Sequence, residues 1–418
     1  MFSDYSNIYP EDYVGPDACS GCHEENHALW QAHPHRTMNQ NPSEQTVKGD
    51  FSGQKIEYGA GYAIFERAGE DFLMSIYQED EEPRLLQVTR TIGSLYVQYY
   101  AGKQILGPES TDHRAYKLET KLPFGYSIQL DRWLPEIYFD STVYAEADFL
   151  DGTHRDYIYS APLHSWNATC LYCHNSYPYV ARLWKQREAS ANIWRAGFPQ
   201  SAVNWRGEQY DQGGLVLPGP AVKRSKNRQE IRAVHSSELV TVGISCESCH
   251  FGGREHAVNN QKISFVPRAD DLTIRRPKSA ISYESDREDP FVVNSICFQC
   301  HNANLHRYPN LEPAVNSSES IAMSMGYCYS QIKCTDCHDP HERGAESGGP
   351  ENPGHVEACL KCHQHLDEPV ARSSHSRHSE VVSCLDCHMP RIVAGLDTVA
   401  RSHAITPAAA LPLWKYWQ

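Results

Sequence analysis

The chain has 418 residues, enough for two or three ordinary domains. Its 38 Lys and Arg stand against 52 Asp and Glu, a formal net charge of −14, so binding through phosphate neutralisation is excluded and no nucleic-acid partner is expected. No run approaches the roughly eighteen consecutive apolar residues that a spanning helix needs, so no transmembrane segment is expected either. Apolar residues make up only 40% of the chain, with 24 Tyr and 8 Trp among them. So few aliphatic side chains make a thin core, and something else must supply apolar surface.

The N-terminal arm, MFSDYSNIYPEDY, is acidic and aromatic and has no basic region followed by an apolar stretch, so it is not a secretory leader. Directly after it comes CSGCH (Cys19, Cys22, His23), the first of seven CxxCH copies. The others are Cys170, Cys173, His174; Cys246, Cys249, His250; Cys297, Cys300, His301; Cys334, Cys337, His338; Cys359, Cys362, His363; and Cys384, Cys387, His388. Shuffling 15 Cys and 22 His over this length gives about 0.03 copies, so seven are no accident of composition. Zinc sites combine two CxxC pairs per ion and need no His after each pair. A disulfide scaffold leaves the His unexplained, and a thioredoxin-like pair occurs once. The chemistry that needs all three residues is covalent haem: two thiols add across the two vinyl groups of one porphyrin edge, and the adjoining imidazole binds iron. The expected cofactors are therefore seven covalently bound haem c groups with their iron. One haem per roughly 60 residues is far denser than one per ordinary domain, so haem faces are expected to replace the missing Leu, Ile and Val.

The spacing of the motifs divides the chain into an N-terminal haem segment at 1–48, a haem-free β-rich insertion at 49–160 and a hexahaem region at 161–418. In the insertion, AIFERAGEDFLMSIYQ reads as a hairpin about Gly69. RLLQVTRTIGSLYVQYY and AYKLETKLPFGYSIQL continue as alternating or aromatic-rich strands broken by Gly and Pro. The stretch from Arg195 to Arg232 is rich in Gly, Pro and charge and reads as an irregular surface excursion containing the basic run KRSKNR. The last four motifs, from Cys297 to His388, leave room only for short helices and loops wrapped on haem. The fold class expected is a multihaem cytochrome of haem-packed short helices and loops with an inserted small antiparallel β-rich domain. Cys328, the odd cysteine, reads as a small buried residue, with an intermolecular disulfide as the alternative.

Seven His serve the motifs, which leaves fifteen for second axial ligands; with only six Met, mostly bis-His, low-potential iron is expected. His27, His256, His306 and His341 each follow a motif within six residues, too near to reach the far face of their own haem but able to cap a neighbour. His164 precedes the second motif, His375 and His378 precede the seventh, and His403 follows it. His113, His154, His235, His355 and His365 are weaker candidates.

The segment GPDACSGCHEENHALWQAHPHRTM resembles the first haem segment of cytochrome c554-type multihaem proteins, in which CxxCH is followed by a Trp and then by a His that ligates another haem. Trp30 and His35 match, His33 less well. SWNATCLYCHNS, ISCESCHFGGREH, IKCTDCHDPHERG and SCLDCHMPR with the later SHAITP resemble a wider family of bacterial multihaem cytochromes, distantly similar to pentahaem nitrite reductases and octahaem hydroxylamine oxidoreductases. The resemblance implies that His35, His164, His256, His341 and His403 are distal ligands. It departs from the nitrite reductases in having no CxxCK, which weakens an enzymatic reading.

These readings lead to an electron-transfer cytochrome in which electrons hop along a continuous row of haems, with redox proteins as partners. The alternative is a reductase or oxidoreductase of a small nitrogen or sulfur oxyanion. Attachment of haem by this chemistry takes place outside the cytoplasm, so a periplasmic or extracellular location and a leader absent from this sequence are expected. The aromatic arms at the two ends, MFSDYSNIYPEDY and LPLWKYWQ, either fold back on their own subunit or dock on the next, which would give a head-to-tail conductive filament. Denatured protein is expected to keep its colour in acidic organic solvent and to weigh seven haems more than the polypeptide.

Overall fold

The computed structural model describes residues 5–58, 61–135, 165–167, 169–182, 234–269, 289–301, 319–326, 328, 331–342, 353–377, 383–393 and 399–406, with strand segments at 193–195, 214–216 and 273–275. Two helices, α1 (Asp17–Ser20) and α2 (Glu24–Ala32), bracket the first motif, with Cys19 in α1 and Cys22 and His23 in the turn between them. Nine strands follow: β1 (Asn39–Gln40), β2 (Ser52–Tyr58), β3 (Gly61–Ala68), β4 (Asp71–Gln78), β5 (Arg84–Ile92), β6 (Val97–Leu106), β7 (Thr120–Lys121), β8 (Phe124–Ser127) and β9 (Arg132–Pro135). They form one antiparallel sheet in the order β2-β3-β4-β5-β6-β8-β9, with β1 on β5 and β7 on β6. The antiparallel sheet and the short helices expected from the sequence are both present, and the sheet also takes in β1, ahead of the boundary at residue 49.

The hairpin between β3 and β4 turns at Gly69, whose φ of 67° is the left-handed value that a two-residue loop with glycine first requires. Alternation in β3 buries Ala63 and Phe65 and leaves Ile64 half-buried and Glu66 outside. Phe65 of β3 stacks on Trp133 of β9 at 3.8 Å and 6°, although four strands separate them in the sheet. The sheet therefore curls on itself around an aromatic core of Phe51, Phe65, Phe72, Tyr100, Phe124 and Trp133. Gly49 permits the closure, because a Cβ there would meet the Trp133 ring at 2.4 Å.

The sheet is joined to the motif-bearing part by a second cluster, in which Ile92 and Ala101 pack with Trp166, Leu171 and Tyr172. Trp166 precedes the second motif and Leu171 and Tyr172 are its spacer residues, so the sheet covers that motif's segment. The short helices lie beyond: Leu171–His174, Glu247–His250, Arg254–Asn259, Pro290–Phe298, Glu319–Met325, Pro353–Leu360, Pro369–Ser376 and Cys384–His388. Among the described residues no helix is long and apolar enough to cross a membrane.

The N-terminal arm is packed on its own chain from residue 5 onward. Ile8 is 1% exposed within a cluster that includes Tyr179, Phe251 and Phe298, and the Val180 and Gly252 amides donate to the carbonyls of Ile8 and Asn7. Glu247, inside the third motif, accepts from the amides of Val14, Gly15 and Gly253 at 2.8–3.0 Å and so clamps the arm. The C-terminal arm at 407–418 lies outside the described residues, as do KRSKNR and the insertion beyond residue 135. In the stretch expected to be an irregular excursion the described residues include a strand, Gly214–Val216, paired with Ile193–Arg195 and Thr273–Arg275. Its short apolar run adds to a sheet despite flanking Gly and Pro.

Replacing Phe65 by Ala removes the centre of the aromatic core and is expected to cost about 3–5 kcal/mol. Denaturant titration followed by far-ultraviolet circular dichroism would measure this, with the haem content unchanged because no motif packs on that ring.

Candidate haem sites

Each motif folds into one helical turn. In six of the seven the His N–H donates to the carbonyl of the motif's first Cys at 2.9–3.1 Å, as with His23 to Cys19 and His338 to Cys334, and the second Cys N–H donates to that same carbonyl at 3.1–3.3 Å. The seventh lies within the helix Cys384–His388, where Ser383 caps the first turn by accepting from the Leu385 amide at 3.2 Å. Positions i, i+3 and i+4 of such a turn share one face, so both sulfurs and the imidazole of each motif project to the same side.

Opposite five of the motif imidazoles stands a second histidine. Ring centres are 6.1 Å apart for His23 and His256, 6.3 Å for His301 and His35, 6.2 Å for His250 and His341, 6.3 Å for His338 and His403, and 6.0 Å for His388 and His375. Two metal–nitrogen bonds of about 2 Å in line, with the ring radii added, put imidazole centres roughly 6 Å apart. The five distances therefore fit an iron held between two Nε2 atoms.

The other ring nitrogen supports the same chemistry. Nδ1 of His256, His388 and His403 lies 2.8, 2.7 and 3.1 Å from the carbonyls of Gln261, Thr406 and Arg401. Nδ1 of His341 lies 3.2 Å from the Asp339 carboxylate. A ring that donates through Nδ1 leaves the Nε2 lone pair for a metal. Burial, with nearby histidines adding to it, lowers the imidazole pKa of His35 to about 3 and of His338 to about 4. Burial likewise lowers His403 and His174. Neutral imidazole is the ligating form.

His301 differs. Burial alone would lower it, yet the Glu319 carboxylate 3.0 Å away carries it up to about 9, and the same pairing overcomes burial at Glu319 and takes that carboxyl down to about 2. The His301 side chain keeps 42% of its surface accessible. The face of the ring away from Glu319 is therefore not closed off by protein.

The remaining candidates are placed differently. His27 tilts against Trp30 at 5.2 Å and faces no motif histidine among the described residues. His33 is occupied as an acceptor for the His35 amide at 3.1 Å. His355 approaches His338 at 5.6 Å, edge-on, and His365 approaches His363, two residues before it, at 6.1 Å and 64°. His113 caps the turn Arg114–Lys117, and the His235 amide donates to Glu238 at 2.8 Å. His154, His164, His306 and His378 lie outside the described residues. Among those described, His174 faces no second imidazole. Cys328 is half-buried and unbridged, near Cys362.

Sequence reasoning missed Glu247, Glu319 and Arg182. The Arg182 guanidinium donates to the Tyr172 carbonyl, the Gln299 carbonyl at 2.6 Å and Cys300 Sγ at 3.7 Å, and so ties the second motif's segment to the fourth. Glu247 sits visibly in a motif spacer, but nothing in the local sequence marks Glu319 or Arg182, whose partners are remote in the chain.

No family model matches the chain. It is similar to the dissimilatory sulfite reductase MccA of Wolinella succinogenes, 21% identical over 94% of this chain and 55% of the reductase. Among solved structures it is similar to the outer cell wall cytochrome OcwA, with a TM-score of 0.44 and 14% identity over 94% of this chain and 80% of that one. It is also similar to the octaheme sulfite reductase MccA itself, with a TM-score of 0.35 and 14% identity over 96% and 60% of the two chains. The chain thus spans about half the length of the reductase it matches in sequence, and the resemblance to multihaem c-type cytochromes read from the motifs holds.

His256→Ala and His375→Ala are each expected to convert one haem iron per chain from low to high spin, read as a new high-spin signal in electron paramagnetic resonance with the haem count unchanged.

Proposed function

We propose that this chain is an electron-transfer protein carrying seven haem c groups, mostly with two imidazoles on each iron. The observation that carries the reading is the set of five motif histidines facing second histidines at 6.0–6.3 Å. Haem iron so held supplies one-electron exchange and keeps no position for a substrate. The paired rings hold the metal from both sides, and the backbone carbonyls that receive Nδ1–H fix their orientation.

Contacts between motifs support a continuous pathway. Cys19 lies against Cys246, Cys249 near Cys297, Cys297 against Cys334, and Cys359 near both Cys337 and Cys384. The attachment points therefore run from the first motif through the third, fourth, fifth and sixth to the seventh. The second joins this line at the fourth, where Cys173 meets Cys300. Periplasmic or cell-surface placement with redox proteins as partners completes the reading. Asn7, Ile8 and Tyr13 of the N-terminal arm are buried within the chain, so a head-to-tail filament would have to use other side chains than these.

A second reading, a reductase of a small nitrogen or sulfur oxyanion, is favoured by one position. The buried His174 ring, held toward the Met38 backbone, faces no second imidazole among the described residues. The sulfite reductase relative lends that reading a substrate class. Titration of the ferric protein with cyanide and with sulfite separates the two readings. No binding and a wholly low-spin spectrum are expected of the carrier. One equivalent bound per chain, lost on His174 substitution, would establish the reductase.

A further inference from the structure

Glu319 is a carboxylate that neither reading requires. It opens the helix Glu319–Met325, whose start is held by the Ser320 amide donating to the carbonyl of His301 at 3.1 Å. Its Oε2 lies 3.0 Å from Nδ1 of His301. A histidine that gives Nε2 to iron keeps its proton on Nδ1 and donates it to a neighbour. For His256, His388 and His403 that neighbour is a neutral backbone carbonyl. The Asp339 carboxylate that receives from His341 is largely exposed, at 59%, so water screens it. Glu319 keeps 28% exposure, which makes it the less screened of these two carboxylates.

A negative charge drawing on Nδ1–H raises the electron density at Nε2 and so favours ferric over ferrous iron. We propose that Glu319 is a positioning residue that gives the fourth motif's haem imidazolate-like ligation and the lowest potential in the row. The proposal rests on the haem reading above. It places the least easily reduced iron at the meeting point of the second, third and fifth attachment sites, so reducing equivalents there are passed on rather than stored.

The test is Glu319→Gln in the fully loaded protein, with a potentiometric titration followed by visible absorption and low-temperature electron paramagnetic resonance. One of the seven midpoints is expected to move upward and one low-spin signal to change, with the haem count unaltered and Glu319→Asp returning both toward wild type. Unchanged midpoints and signals in fully loaded Glu319→Gln would overturn the proposal. Should that variant not mature, near-infrared magnetic circular dichroism of the wild-type ferric protein decides. A charge-transfer band displaced from the rest toward imidazolate ligation is expected, and a uniform set of neutral bis-imidazole bands would refute it. A polypeptide without covalent haem would instead overturn the underlying reading.

Discussion

The rest of this structure depends on a geometric constraint of one helical turn. A CxxCH pentapeptide in helical form puts two thiols and an imidazole on one face, and six of the motifs hold that form with the same bond from His N–H to the first Cys carbonyl. Each turn is too short to be stable in isolation. It is fixed by what lies opposite, and opposite five of them lies another imidazole at about 6 Å. The local turn and the distant histidine together define a slot, and the polypeptide between slots can stay short and irregular.

The second histidines do more than fill coordination positions. His35, on the first motif's segment, faces the fourth motif; His256, beside the third, faces the first; His341, beside the fifth, faces the third; and His403, beyond the seventh, faces the fifth. Such crossings tie remote segments together where a conventional domain would use aliphatic packing. The side-chain clusters are correspondingly divided, with the largest belonging to the sheet. Glu247 and Arg182 strengthen the crossings through buried polar bonds to segments far away in sequence, which satisfies groups that would otherwise be costly to bury.

Much of this was legible in the sequence, and unevenly. The seven motifs could be read with certainty because attachment chemistry fixes residue type and spacing. The hairpin about Gly69 was legible because apolar runs on either side of a glycine leave a local mark. The partners of the irons were legible only as a list of candidates. His27 and His256 follow their motifs in much the same way, yet one rests on Trp30 and the other faces His23. Which of them meets a motif is decided by packing between segments that no local pattern records. The same holds for Glu319, eighteen positions beyond His301 and without any signature of its own.

The crossing of His23 with His256 also bears on biogenesis. The first turn is synthesised long before residue 256 exists, so whatever is fastened at Cys19 and Cys22 waits half-dressed until the third segment arrives. His388 and His375, neighbours in sequence, meet almost at once. The order in which coordination is completed therefore differs from the order in which the chain emerges. The early-made end is the part most in need of a chaperone that shields reactive iron during maturation.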